Sequence, residues 1–147
     1  MKALLLDDNP MNNLILERFL LPMGVECTSL TSGGEALRLI EAEAKAGRWF
    51  DLFFCDIIMG GDLDGFEVIS RLRKLEKQRP APGPRSPAGI PPLVVVALTA
   101  MRSAKSEDKA KEVGADLFLS KPITRLMLAD VVKRLELLIS QCAMQKT

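Results

Sequence analysis

Two kinds of pattern alternate along this chain. Short apolar runs at 2–6, 25–30, 51–56, 93–98 and 117–119 are bounded by Asp, Asn, Gly and Pro, and read as strands. The runs at 3–6 and 93–98 are almost wholly Leu, Val and Ala, as expected of strands covered on both faces. The run Asp51-Leu52-Phe53-Phe54-Cys55-Asp56 is the one the rest is arranged around, because it ends in a carboxylate followed by a Met-Gly-Gly loop.

Between these runs the apolar spacing changes to that of helices. Asn9 is placed to cap a helix with Pro10 at its first position, Leu14, Ile15, Phe19 and Leu20 as its stripe, and an end near Pro22-Met23-Gly24. Thr31-Ser32-Gly33-Gly34 turns into a second helix striped by Ala36, Leu37, Leu39, Ile40 and Ala44, closed near Gly47. Asp64-Gly65 opens a third, with Phe66, Val68, Ile69 and Leu72 inward and Arg71, Arg73 and Lys74 outward. A fourth, polar helix over 103–113 has a thin stripe of Ala104, Ala110 and Val113. The last, from Ile123 to about Gln141, carries Leu126, Leu128, Val131, Val132, Leu135, Leu138 and Ile139. Five strand–helix alternations predict an α/β fold, a parallel sheet with helices on both faces and right-handed crossovers. The chain is expected to form one domain over 1–141 with a short tail at 142–147. Residues 78–92 hold six prolines and no apolar period, and read as an extended insertion between the third helix and fourth strand.

Composition narrows the function. The formal net charge is +1, without a basic tract, so nucleic acid has no electrostatic footprint here. No run is long and apolar enough for a membrane span and no signal-peptide pattern opens the chain, which points to a cytoplasmic protein. Three cysteines without metal-ligand spacing (Cys27, Cys55, Cys142) read as reduced thiols, the first two as core filler. The absence of histidine removes imidazole catalysis and His–metal sites.

In a parallel sheet the carboxyl ends of all strands share one edge, where ligand crevices form. Strand one delivers Asp7 and Asp8 there, strand three Asp56, strand four Thr99 and strand five Lys121. Taken singly, each is an ordinary strand-end residue: an acidic turn, a loop cap, a surface lysine before a proline. One such group at the end of each of four strands is a different matter. Three clustered carboxylates call for a cation, and oxygen ligands without His or Cys select Mg²⁺ or Mn²⁺. A phosphoryl group could complete the metal shell, with its other oxygens met by the Thr99 hydroxyl and Lys121 ammonium and with Asp56 as nucleophile.

Asp7-Asp8, Asp56 with Met59, Asp64-Gly65, Leu98-Thr99-Ala100 and Ser120-Lys121-Pro122-Ile123 together resemble the receiver domain of two-component response regulators, over residues 2 to about 140. The resemblance implies a flavodoxin-like sheet in the order 2-1-3-4-5. It also implies Mg²⁺ binding by Asp7, Asp8, Asp56 and the backbone carbonyl of Ile58, with Asp56 as phosphoacceptor. Thr99 and Lys121 would be the family's hydroxyl and lysine, and Phe118 its switch aromatic. Two features depart from the family. Gly60 stands where proline is usual and Asp64 lies one residue further from the acceptor than usual, both after the Ile58 carbonyl. The proline-rich insertion starts at the amino end of strand four, away from the acidic rim, and is expected to be a spacer or a partner contact.

The implied function is a phosphorylation switch and not an enzyme acting on other substrates. A histidine kinase or histidine phosphotransfer protein donates, since this chain has no histidine, and the receiver catalyses its own phosphorylation and dephosphorylation. Thr99 then moves inward, Phe118 follows, and the surface of helix four, strand five and helix five changes for a downstream protein. Ile58 and Met101 would flank the acyl phosphate and exclude water. The chain is expected to be monomeric or weakly dimeric through helices four and five. It reads as a stand-alone receiver or a receiver from a hybrid histidine kinase, with a lean to the latter. Two other readings compete: a receiver-like docking module that works unphosphorylated, and an aspartyl-phosphate hydrolase of the haloacid dehalogenase type. The hydrolase needs a second Asp two residues after the nucleophile, where this chain has Ile58. A Gly-rich nucleotide-binding fingerprint is missing after strand one.

Overall fold

The computed structural model describes residues 1–59, 63–78, 93–100 and 103–145. Its elements run β1 (Lys2–Leu6), α1 (Pro10–Leu20), β2 (Glu26–Leu30), α2 (Gly33–Lys45), β3 (Leu52–Asp56), α3 (Gly65–Gln78), β4 (Val94–Thr99), α4 (Ala104–Val113), β5 (Leu117–Ser120) and α5 (Arg125–Gln145). All strand pairings are parallel, in the order β2-β1-β3-β4-β5, as the alternation and the family resemblance imply. The expected insertion at 78–92 lies almost wholly outside the described residues, as do Gly60 and Met101.

β3 sits at the centre of the sheet and is buried at every position. Alternation of side chains across the pleat divides the core in two. Leu4, Leu6, Phe53, Cys55, Val95 and Ala97 face α2, α3 and α4, meeting Ala36, Ile40, Val68, Ile69, Leu72 and Ala110. Leu5, Leu52, Phe54, Val96 and Leu98 face α1 and α5, meeting Leu16, Leu20, Leu128, Val131, Val132 and Leu135. At roughly 1.5–3 kcal/mol for each large side chain removed from water, these two layers supply the main stabilisation.

Local signals start and stop the helices much as the sequence suggests. Asn9 caps α1 by accepting from the Met11 amide at 3.0 Å, with Pro10 at the first position. Ser32 caps α2 and Ser103 caps α4, the latter accepting from the Ser106 amide at 3.1 Å. Gly114 closes α4 at φ 113°, a left-handed conformation that disfavours a side chain.

The faces differ from expectation in four places. On α1 the buried positions are Asn13, Leu16 and Leu20, while Leu14 and Ile15 are exposed. The register is turned because the Asn13 amide donates to the Leu30 carbonyl at 2.9 Å, giving a polar side chain a buried slot. On α4 only Ala110 is buried and Ala104 is exposed, so this helix is held even more thinly than its stripe predicts. Leu126 is exposed at the start of α5 instead of joining its inner face, and Leu138 and Ile139 lie outside the described side chains. α5 also continues to Gln145, past the expected end near Gln141.

The fourth difference is Arg73, expected to point outward with Arg71 and Lys74. It folds instead against the amino-terminal edge of the sheet. Its guanidinium donates to the carbonyls of Gly114 (2.9 Å) and Leu93 (2.9 Å), to Asp116 (2.6 Å) and to Glu76. Asp116 accepts the Val95 amide at 2.8 Å with the same carboxylate. One planar fork thus joins α3, the start of β4 and the α4–β5 turn.

Candidate functional site

The carboxyl ends of β1 and β3 bring Asp7, Asp8 and Asp56 together, with one carboxylate oxygen of each lying within 4.8 Å of the others. Asp7 and Asp56 are buried and Asp8 is exposed, so the cluster opens to solvent on one side. Lys121, arriving from β5, places its ammonium 2.7 Å from Asp7 and 3.6 Å from Asp56. Thr99 is fully buried at the end of β4, and its carbonyl accepts the Lys121 amide at 2.7 Å, which locks the ends of β4 and β5 in register. All four strand ends singled out in the sequence therefore contribute to this edge.

The two buried carboxylates are held differently. Asp7 accepts from the Asn9 amide (2.9 Å), the Asn12 side chain (3.1 Å) and Lys121. Burial opposes its ionisation, but the Lys121 ammonium and these hydrogen bonds prevail and hold its pKa below the usual carboxylate value. Among the described residues, Asp56 accepts one hydrogen bond, from the Ile58 amide at 3.2 Å. Burial pushes it up to about 6; Lys121 counteracts this, and the neighbouring Asp7 and Asp8 charges add to it. Asp7 is thus a fixed, ionised anchor, while Asp56 is the carboxylate whose charge is poorly compensated.

Backbone approach shapes the loop that follows. The Gly65 amide donates to the Ile57 carbonyl at 3.2 Å, and a Cβ at Gly65 would collide with the Asp56 carbonyl oxygen and the Ile57 Cα. Asp64 caps α3 by accepting the Glu67 amide at 2.9 Å. The Asp64-Gly65 pair therefore lets the start of α3 lie directly against the end of β3. Ile58 is exposed beside Asp56, and Phe118 is half-buried against the α2–α3–α4 side of the core.

Residues that sequence reasoning passed over also build the site. Asn12 fixes an Asp7 oxygen, and the Asn13 amide donates to the Leu30 and Asp7 carbonyls at 2.9 and 3.4 Å. Their signal was present: two adjacent asparagines in the first turn after an acidic pair are poor helix formers without such contacts.

The donor set fits a hard divalent cation. It offers oxygen alone, from two buried carboxylates and one exposed one, drawn together at one end of the sheet. The chain matches the response regulator receiver domain over residues 3–133. It belongs to that family. Among curated relatives, hybrid signal transduction histidine kinase L of Dictyostelium discoideum is 34% identical over 133 residues, covering 90% of this chain but 7% of the kinase. Sensor histidine kinase GacS of Pseudomonas protegens is 34% identical over 131 residues, 89% of this chain and 13% of its own length. The receiver thus spans a small part of the curated relatives it matches. Among solved structures, the Vibrio cholerae chemotaxis protein CheY4 aligns with a TM-score of 0.69 at 26% identity, covering 91% of this chain and 97% of that one. The receiver domain of Saccharomyces cerevisiae Ssk1, solved with the histidine phosphotransfer signalling protein Ypd1, aligns at 0.70 and 27% identity over 92% and 86%.

Two-component phosphorelay signalling is therefore the process to which this receiver belongs, and receivers act there as signalling modules. Among the described residues no helix is long and apolar enough to cross a membrane. Cys27 and Cys55 are free thiols, half-buried and buried, consistent with packing roles.

Proposed function

We propose that the receiver, residues 1–141 in the cytoplasm, accepts a phosphoryl group on Asp56 from a phosphohistidine of a histidine kinase or histidine phosphotransfer protein. The N–P bond of the donor breaks as an Asp56 carboxylate oxygen bonds to phosphorus, and the donor imidazole keeps the electron pair. The observation that carries this reading is Lys121 spanning Asp7 and Asp56 at 2.7 and 3.6 Å beside Asp8, on the edge where the strands of the sheet end. Lys121 is then positioned to follow the charge that shifts onto the phosphoryl oxygens, and Thr99 to donate its hydroxyl to one of them.

Asp7, Asp8, Asp56 and the Ile58 carbonyl would hold Mg²⁺, or Mn²⁺ in its place. When bound, that cation would supply charge neutralisation among the carboxylates and polarise the incoming phosphoryl group. The protein's own contribution is orientation. Lys121, the Asn9 backbone amide and the Asn12 side chain keep Asp7 ionised and fixed. The Ile58 amide holds one Asp56 oxygen, leaving the other toward Lys121.

The rim around the acidic site supports docking of a protein donor. Met11, Leu14, Ile15, Ile58 and Leu126 are exposed on elements that start from the rim or follow Asp56. Exposed apolar side chains on elements that begin at a charged edge suit a partner interface. After transfer, Thr99 and Phe118 carry the change to the α4–β5–α5 face, where a downstream protein or a second receiver binds. The thin anchoring of α4, with only Ala110 buried, supports a surface that re-packs at low cost.

The test is intact mass after incubation with a small-molecule phosphodonor and Mg²⁺, for the wild type and Asp56→Asn. One phosphoryl adduct, lost in the variant and on chelation, is expected. No adduct on folded protein would overturn the reading in favour of a docking module, and steady phosphate release without an adduct would favour a hydrolase.

A further inference from the structure

A groove lies at the carboxyl end of the edge strand β2, where the Asp7 amide donates to the Leu30 carbonyl at 3.3 Å. Its volume is about 380 Å³, within the range of small-ligand sites. α1 supplies Met11, Leu14 and Glu17 to its walls, β2 supplies Ser29 and Leu30, and the first turn of α2 supplies Glu35.

The chemistry of the groove favours positive charge. Two glutamates line it and, among the described residues, no lysine or arginine does. The Ser29 hydroxyl donates to the Glu17 carboxylate at 2.6 Å, which fixes that half-buried side chain between α1 and β2. Glu35 is exposed, and neither glutamate has an ion pair among the described residues. Asn13 lines the groove as well and is 2% exposed. Its amide nitrogen is taken by the Leu30 and Asp7 carbonyls, and its Oδ1 has no hydrogen-bond partner among the described residues. That bare oxygen adds partial negative charge where two carboxylates already stand. Met11, Leu14 and Leu30 give the rest of the lining an aliphatic character. An occupant matched to both parts is a cation on an aliphatic stem.

Position selects a protein as its source. Met11 and Leu14 belong both to this groove and to the exposed apolar rim on which a protein donor docks in the proposed reading. A phosphorylated donor also brings negative charge toward Asp7, Asp8 and Asp56, and a cation of the donor seated beside that cluster offsets the repulsion. We propose that the groove holds an arginine or lysine side chain of the phosphohistidine-bearing donor, with its stem along Leu14 and Leu30 and its charge met by Glu17 and Glu35. The inference rests on the phosphoacceptor reading, since that reading supplies the donor.

The experiment has two arms. Backbone amide shifts of the unphosphorylated protein are followed on adding n-butylguanidinium, with n-butylurea as its uncharged isostere. The cation is expected to move the amides of Ser29, Leu30 and Glu35, and the urea to leave them in place. Glu17→Gln, which keeps an acceptor for Ser29, and Glu35→Gln should each weaken cation binding roughly threefold to tenfold without moving Tm. In the second arm, transfer from a phosphorylated histidine phosphotransfer protein should slow about tenfold or more in Glu35→Lys, with phosphorylation by a small-molecule donor near wild type. No shift in the wild type, or equal shifts with n-butylurea, overturns the proposal and leaves the phosphoacceptor reading intact. Cation binding with unchanged transfer in Glu35→Lys also overturns it, and marks a site for free organic cations instead. Should Glu17→Gln lower Tm, Glu35→Gln decides alone, because its side chain is exposed. Failure of the small-molecule donor to phosphorylate the wild type overturns the phosphoacceptor reading, and with it the donor as occupant, whatever the groove binds.

Discussion

At the scale of single residues, the two buried aspartates pull stability in opposite directions with pH. Asp56 is raised from 3.8 to about 6, so the folded protein binds this proton more tightly than the unfolded chain does. Its protonation therefore stabilises the metal-free fold, fully below the unfolded value and not at all above pH 6 to 7. A shift of that size corresponds to roughly 3 kcal/mol as an upper bound. Asp7 is lowered, so its contribution is present above the unfolded carboxylate value and is lost only in acid below it. In the window between about pH 4 and 7 the Asp56 effect is the one that varies. Asp56→Asn should accordingly raise the Tm of chelated protein at pH 7.5, with the gain shrinking toward pH 4.5; thermal melts across that range in EDTA check it. A gain independent of pH would show that the charge is not the cause. Mg²⁺ held by the cluster would reverse the sign, because ligation needs the ionised form, so Mg²⁺ affinity should fall as pH drops through 6. Gly65 gives a second prediction at this scale. Gly65→Ala forces backbone apart at Asp56 and Ile57, costing about 1–3 kcal/mol and slowing phosphorylation by the small-molecule donor, read from urea melts and adduct formation.

At the scale of elements, the strands were legible because a buried parallel strand has a simple signature, an apolar run with a chemical residue at its end. Asp7, Asp8, Asp56, Thr99 and Lys121 could be placed on one edge from that alone. Helix faces were less legible where a polar group took a core position. Asn13 displaced the expected α1 stripe because its partner, the Leu30 carbonyl, is set by the fold and not by the helix. Arg73 was misplaced for the same reason: its partners Leu93, Gly114 and Asp116 lie 20 to 43 residues away in the chain. That fork fixes Leu93, where the chain returns to the sheet, to α3, where it departs. Arg73→Ala should cost about 1–3 kcal/mol, since it leaves the Leu93 and Gly114 carbonyls without their donor while exposed Asp116 keeps the Val95 amide, with little change in phosphorylation at the opposite edge. Replacing residues 80–91 by a short polar turn should cost less than about 1 kcal/mol, because loop length enters only logarithmically once both roots are fastened. Urea unfolding of both variants separates the outcomes, and a large loss on shortening would mean that the insertion packs on the domain.

At the scale of the whole molecule, the proposed chemistry and the proposed recognition share one edge of the sheet but use different atoms. Asp7, Asp56 and Lys121 lie within the acidic site with Asp8 on its open side, whereas Leu14 and Ile15 are exposed on α1 and Ile58 is exposed two residues after Asp56. A sequence cannot separate these roles, since Leu14 and Ile15 look like core until Asn13 is seen to occupy the buried position. On the proposed reading, small-molecule donors need only the chemistry, while a protein donor would also cover the apolar rim. Ile15→Asp, at a position already 45% exposed, should therefore leave Tm and small-molecule phosphorylation near wild type. Transfer from a phosphorylated histidine phosphotransfer protein should slow by about tenfold or more, because a charge is buried in an apolar contact that excludes water. Following both reactions by adduct formation gives the ratio that matters. Equal slowing of the two would place Ile15 in the fold or the chemistry, whereas loss confined to the protein donor would mark α1 as the face on which the phosphohistidine approaches Asp56.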